Sequence, residues 1–262
     1  MARSTFYYNL KELRKKDKYE EEKEIIKAIF TVNKEIYGYR RVTIDVRKEG
    51  YNLNHKTVYR LMKEMGLKSM VRMKKYNSYK GGDESQVAPN ILNREFEASK
   101  PNEKWVTDIT EFKLFGEKLY LSPILDLYNG EIIAYEMNRR PVFDLVLETV
   151  KKALEKKGKN ETLVLHSDQG WHYRMGNYRK LLQDNKIIQS MSRKGNCFDN
   201  AVMENFFGHL KSELLYLKKF DSMEHFILEL KEYIDYWNNK RVKVKLNGLS
   251  PVQYRIQSQL VA

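Results

Sequence analysis

The chain has 262 residues, 42% apolar and 12% aromatic, enough to bury the core of one large or two modest domains and to exclude disorder along its whole length. Its 48 Lys and Arg exceed its 35 Asp and Glu by 13, and eleven of those thirteen charges lie in residues 1–80, where 21 basic residues face 10 acidic ones. So polarised a charge makes a polyanion the favoured partner of the N-terminal part, nucleic acid ahead of an anionic membrane.

Ile25, Ile26, Ala28, Ile29 and Phe30, set among Glu and Lys, predict a helix from about Tyr19 to Asn33. A second is expected over Arg40–Lys48, stopped by Gly50, and a third from Leu53-Asn54 to Met65, ended by Gly66. Two short helices around a tight turn suggest a helix-turn-helix. Val58, Leu61, Met62 and Met65 form the apolar stripe of the last helix, leaving His55, Lys56, Tyr59, Arg60 and Lys63 for solvent or DNA. The basic run Lys68–Lys80 and the small, polar stretch from Gly81 to Pro89 read as a tether. The expected organisation is a helical DNA-binding region over 1–80, a linker over 81–100 and a second domain over 101–262.

That second domain opens with a β-rich stretch, Trp105–Leu114, turning at Phe115-Gly116 into Lys118–Tyr128; Asn129-Gly130, a strong hairpin signal, returns the chain through Glu131–Met137. Strands and helices then alternate: an amphipathic segment Val142–Lys156, a strand Thr162–His166, a helix Asn177–Asp184, a strand Ile187–Met191 and a long helix from near Phe198. The expectation is an α/β domain, a five-stranded mixed sheet with flanking helices, behind an all-α helix-turn-helix domain. The single cysteine, Cys197, excludes an internal disulfide framework and a Cys-rich zinc site and suggests a reducing compartment. No run approaches the roughly 18 apolar residues that span a bilayer, so the expected setting is cytoplasmic, without membrane partners.

Three acids stand out by location. Asp108 interrupts a strand of apolar and β-branched residues, where a carboxylate is costly unless paired or bound to a cation. Asp168, in His166-Ser167-Asp168-Gln169-Gly170, follows a strand at its carboxyl end, where open α/β sheets gather ligands. Glu204 lies on the long helix, whose Met203, Phe206, Phe207, Leu210 and Leu214 mark the core face. At about 100° per residue, Asn200 and Lys211 share the face of Glu204. Ordinary surface charges remain the alternative for Glu204 and Lys211. Asp126 is a rival carboxylate, His166 a ligand or a structural strand-end histidine, and Asp199 a helix cap.

Over nearly its full length the chain resembles bacterial insertion-sequence transposases with a retroviral-integrase-like catalytic core, the product of their second reading frame. The resemblance rests on Tyr37-Gly38-Tyr39-Arg40-Arg41, Lys100-Pro101-Asn102-Glu103-Lys104-Trp105, His166–Gly170, Asp199–Phe207, Tyr236–Arg241 and Leu249–Tyr254, in that order and spacing. It implies a ribonuclease H-like fold with neighbouring first and fourth strands, and Asp108, Asp168 and Glu204 as the catalytic, metal-holding triad. The family's helix lysine falls on Lys211; Trp237 stands where a tyrosine is expected. Oxygen ligands without Cys or paired His suit Mg²⁺, two ions with Mn²⁺ as substitute. The implied reaction cuts the element's end with water and lets the freed 3′-hydroxyl attack another phosphodiester. Its partners would be double-stranded DNA, further copies of the chain assembled on that DNA, and an upstream-frame DNA-binding protein, fused or separate. A nuclease without strand transfer and a non-catalytic helix-turn-helix regulator are the competing readings.

Overall fold

The computed structural model describes residues 3, 17–69, 87–158 and 162–261. The chain divides into two compact units, residues 1–71 and 72–262. Most of the expected basic tether, residues 70–86, lies outside the described residues.

In the first unit, α1 (Glu20–Val32), α2 (Tyr39–Lys48) and α3 (His55–Glu64) form the three expected helices. Glu20, Glu21 and Glu22 place negative charge at the positive end of the α1 dipole. Asn54 caps α3 by accepting the Lys56 amide at 2.9 Å. Gly50 and Gly66, after α2 and α3, take the left-handed backbone that ends a helix cheaply. Ile26, Phe30, Val42, Val46, Val58, Leu61 and Met62 are buried together with Ile36 and Tyr37.

The second unit is built on β1 (Lys104–Thr107), β2 (Thr110–Leu114), β3 (Glu117–Asp126), β4 (Ile132–Asn138), β5 (Leu163–Ser167) and β6 (Ile187–Met191). β4 and β3 are antiparallel, β3 pairs with both β1 and β2, and β5 and β6 run parallel to β1. The expected first strand is therefore split in two at Asp108-Ile109, giving six segments where five were anticipated. The split inserts no residue: Thr107 lies opposite Ile124 and Thr110 opposite Leu121, three positions on in both strands. The same register sets Pro123 across from Asp108, and proline has no N–H to offer a ladder.

Two cores flank the sheet. On one face α4 (Phe143–Leu154), α5 (Trp171–Arg174) and α6 (Gly176–Asp184) cover Trp105, Ile124, Leu163 and Leu165. On the other, α7 (Ala201–Leu210) and α8 (Met223–Asn239) bury Val106, Phe112, Leu121 and Leu125. The last helix is α9 (Pro251–Val261). The expected long helix is composite: a 3₁₀ turn at Cys197–Asn200, then α7, then a π turn at Lys211–Leu215. Residues 87–97 lie on this unit; Ile91 and Leu92 donate to the Ser190 hydroxyl, and Leu92 is buried.

Both expected turns join antiparallel strands, a two-residue turn at Phe115-Gly116, where Leu114 pairs with Glu117, and a longer loop holding Asn129-Gly130 between β3 and β4. Both residues of the two-residue turn have positive φ, 53° and 75°, a conformation that suits Asn-Gly and strains phenylalanine. Phe115 is exposed, so Phe115→Asn is expected to raise unfolding free energy by about 1 kcal/mol, read from urea midpoints. A lower midpoint would show that the ring contributes contacts outweighing the backbone strain.

Candidate active site

β1 and β5 are parallel neighbours, with Val106 opposite His166. Two residues further along that register, Asp108 lies beside Asp168 at the carboxyl ends of strands about 4.8 Å apart. Side-chain alternation gives Asp108 the face of Val106, the face on which α7 packs. Asn200, immediately before α7, is 3% exposed and donates to the Thr107 carbonyl at 3.3 Å, tying the start of the helix to the strand residue before Asp108. Glu204 follows one turn later, on the exposed side of α7.

Asp108 is raised well above the usual carboxylate range, first by burial, then by the charge of Asp168, with Glu204 adding to the rise. The Ile109 amide, at 2.7 Å, and the charge of Lys211 oppose it. Burial also raises Asp168, against the Gly170 amide at 2.8 Å and the charges of His172 and Arg174. Glu204, although exposed as a residue, is raised by partial desolvation of its carboxyl. Asp108 thus feels the charge of both other acids, yet among the described residues no three His, Cys, Asp or Glu side chains are gathered closely enough to hold one metal ion.

Lys211 opens the π turn with its ammonium 5.9 Å from the Phe112 ring centre, close enough for its charge to reach Asp108. The shared face expected for Asn200, Glu204 and Lys211 assumed one continuous α-helix. The 3₁₀ turn takes Asn200 off that face and buries it against β1, whereas α7 runs unbroken from Glu204 to Lys211 and the charges of both reach Asp108.

The other candidates separate cleanly. Both ring nitrogens of fully buried His166 are taken, Nδ1 by the Ser190 hydroxyl at 2.8 Å and Nε2 by that of Ser192 at 3.1 Å, and burial lowers it to about 4. Asp126 pairs with Trp105, three residues from Asp108 along the strand, and accepts the Asn102 and Tyr128 amides at 2.8 and 2.9 Å. Burial raises it to about 6. Asp199 makes no cap hydrogen bond to α7. Its buried carboxylate instead accepts from the Arg193 amide and guanidinium, from Arg94 at 2.8 Å and from Asn90 at 3.0 Å. Those bonds hold it far below the usual range, although burial opposes them.

Gly170 stood out in the sequence only as the end of the His166–Gly170 motif. A methyl group added there would lie 2.9 Å from Asp168 Oδ1 and 3.4 Å from the Tyr173 ring. Gly170→Ala is expected to displace the Asp168 carboxylate, lowering turnover on DNA about tenfold or more while the melting temperature changes by a few degrees at most. Unchanged turnover would mean that the carboxylate orientation is immaterial.

In the first unit His55, Lys56, Tyr59, Arg60 and Lys63 are all exposed on α3. Tyr39 of α2 packs edge-on against Tyr59 at 5.2 Å and lies 6.2 Å from the His55 ring. Arg60 is engaged by Glu64 at 2.7 Å and lies over the Tyr19 ring.

A small helical unit with a helix-turn-helix, followed by a mixed sheet whose adjacent strands end in two carboxylates beside a helix bearing a third, defines the class of integrase-core proteins with a ribonuclease H-like fold. Residues 98–197 and 204–259 match two models described as "Integrase core domain", and residues 17–75 match "HTH-like domain". The chain is 51% identical over 260 residues to the putative transposase InsK for insertion sequence element IS150 of Escherichia coli K12, covering 99% of this chain and 92% of that protein. It is 32% identical over 231 residues to the E. coli transposase InsF for insertion sequence IS3A, covering 88% and 80%. The chain belongs to this family of insertion-sequence transposases with an integrase core. A solved HTLV-2 integrase catalytic core domain in complex with magnesium is 17% identical with a TM-score of 0.49, covering 60% of this chain and 98% of that one. No helix among the described residues is long and apolar enough to cross a membrane.

Proposed function

We propose that this transposase cuts DNA at the ends of its element and joins the freed 3′-hydroxyl to a new phosphodiester, with Asp108, Asp168 and Glu204 as its catalytic carboxylates. The observation that carries this reading is the register that sets Asp108 beside Asp168, with Asn200 tying the Glu204 helix to the adjoining strand residue. The donor set fits a hard divalent cation: oxygen ligands only, two of them acids raised by burial, Asp108 further by the charge of Asp168, and a histidine nearby with both nitrogens occupied. Mg²⁺, with Mn²⁺ as substitute, would be held by Asp108 and Asp168, with Glu204 completing the set. When bound it would polarise the attacking and leaving oxygens at phosphorus.

The chain's own residues supply the rest. Gly170 fixes one oxygen of Asp168 and Ile109 one of Asp108, so each carboxylate keeps another oxygen for the site. Lys211 contributes positive charge beside the acids, suited to a DNA phosphate, and Asn200 acts by positioning α7. His55, Lys56, Tyr59, Arg60 and Lys63 on α3, with the excess charge of the first 80 residues, provide the grip on double-stranded DNA at the element ends. Holding two ends and a target together calls for a homo-oligomer on the DNA.

The test is an end-labelled duplex carrying the element terminus, incubated with target DNA and Mg²⁺. Nicked ends and joined products are expected; nicking alone would favour the nuclease reading, and binding alone the regulator. Removing residues 1–80 is expected to flatten the fall of log affinity with log salt, by about 0.9 per lost phosphate contact. An unchanged slope would place the backbone contacts on the second unit.

A further inference from the structure

Tyr173 lies at the base of the acid pair. It follows Gly170, to whose carbonyl its amide donates at 3.1 Å, and its ring is 99% buried in the core beneath the carboxyl ends of β1 and β5. The position from which a methyl on Gly170 would touch Asp168 Oδ1 is also 3.4–3.5 Å from the edge of that ring. The phenol sits beside Thr107, whose hydroxyl spends its proton on the Pro123 carbonyl at 2.9 Å and turns only lone pairs toward the tyrosine. The Tyr173 hydroxyl is buried and makes no hydrogen bond of normal length and angle, with the Thr107 side chain as its polar neighbour. A buried donor without a full hydrogen bond costs stability, and a phenylalanine would fill the same space without that cost.

We propose that Tyr173 is a positioning residue for the Asp108–Asp168 pair, its hydroxyl donating a hydrogen bond to that pair once a divalent cation draws the carboxylates inward. This rests on the site reading above. A neutral donor under two acids fixes the rotamer of one carboxylate without neutralising it, leaving the remaining oxygens for the cation. That is the service outer hydrogen bonds give metal-holding carboxylates, and its loss commonly costs 10–100-fold in metal affinity or activity. The same hydroxyl explains why a core position carries a tyrosine although its ring neighbours, Tyr178 among them at 5.5 Å, require only an aromatic ring.

The experiment compares the full chain with Tyr173→Phe and Asp168→Asn, measuring the melting temperature without metal, its rise on adding Mn²⁺ or Mg²⁺, and cleavage of an element-end duplex. For Tyr173→Phe, a melting temperature at or above that of the parent is expected, together with about tenfold weaker metal affinity in the titrated temperature rise and slower cleavage. A parent-like metal titration in Tyr173→Phe overturns the proposal. So does a metal affinity that falls only in step with lost metal-free stability, since that marks a packing role. Asp168→Asn separates the two levels: if it keeps the parent's metal response, the site reading itself fails, whereas if it loses that response while Tyr173→Phe keeps it, only the tyrosine's role is wrong.

Discussion

Asp108→Asn, Asp168→Asn and Glu204→Gln are each expected to lower cleavage and strand transfer by about a thousandfold or more while leaving DNA binding in place. Each change removes one charge at almost constant volume, so the loss falls on the chemical step and not on packing. The sign of the stability effect is opposite. Burial already disfavours the ionised forms of Asp108 and Asp168, and the charge of Asp168 adds to this at Asp108, so their amide variants should melt at or above the parent temperature in metal-free buffer. Activity lost together with stability would point to a structural role, and near-parental turnover in any of the three would remove that residue from the site.

The second large effect is expected at Glu213 and Arg241. Glu213 sits in the π turn that begins at Lys211, and Arg241 follows α8. Arg241 is 2% exposed and donates to both carboxylate oxygens of Glu213, at 2.5 and 3.0 Å, while the Tyr233 hydroxyl adds a bond at 2.8 Å. The guanidinium also stacks 4.5 Å from the Trp237 ring centre, and Trp237 in turn donates to the Gly130 carbonyl at 2.9 Å. Arg241→Met would leave a buried carboxylate without its counterion, at a cost of about 3–5 kcal/mol, or about 10 °C in melting temperature. Adding Glu213→Gln should recover much of that loss, because it removes the stranded charge. A single variant that melts like the parent would show that the pair is not what holds the π turn.

The same pair sets a pH dependence. Burial alone would raise Glu213, but His209 and Arg241 bring it down to about 2. A carboxylate with a depressed folded-state pKa stabilises above its ordinary pKa, and that contribution is lost as pH falls from about 4.5 toward 2. The loss is about 3 kcal/mol over that window, on the order of 1.4 kcal/mol per unit. Urea midpoints measured from pH 5 to pH 2 should fall less steeply for Glu213→Gln than for the parent.

What the sequence disclosed follows from how local its signals are. The apolar runs Lys118–Tyr128 and Glu131–Met137 between turn signals, and the switch to strand–helix alternation after Val142, suffice for the mixed sheet with helices on its faces. Asp108 and Asp168 were visible because one breaks its strand and the other ends one, whereas Glu204, a charge beside a helix's core face, stood out from an ordinary surface residue only through the resemblance. The break at Asp108-Ile109 was not visible, since the proline opposite it belongs to another strand. Asn129-Gly130 outranked Phe115-Gly116 as a turn on propensity, and the chain imposed the strained phenylalanine regardless. Asn200 was placed on a face it does not occupy because residue spacing cannot reveal a 3₁₀ turn leading into α7. Asp199 read as a cap because residue spacing shows neither the Arg193 loop that folds back onto it nor Arg94 and Asn90, more than a hundred residues away. Gly170 closes a motif of the resemblance and Tyr173, three residues on, could be read as a base-stacking or a packing aromatic, but the roles argued for them come from what stands beside them once β1 and β5 pair.

The central claim is that Asp108 and Asp168 share a divalent cation beside Glu204. Anomalous scattering from crystals of the transposase soaked or grown with Mn²⁺ tests it most directly. The expected result is a peak bounded by carboxylate oxygens of Asp108 and Asp168, absent from crystals of Asp168→Asn. A peak ligated by neither residue, or one that persists unchanged in that variant, would contradict the account.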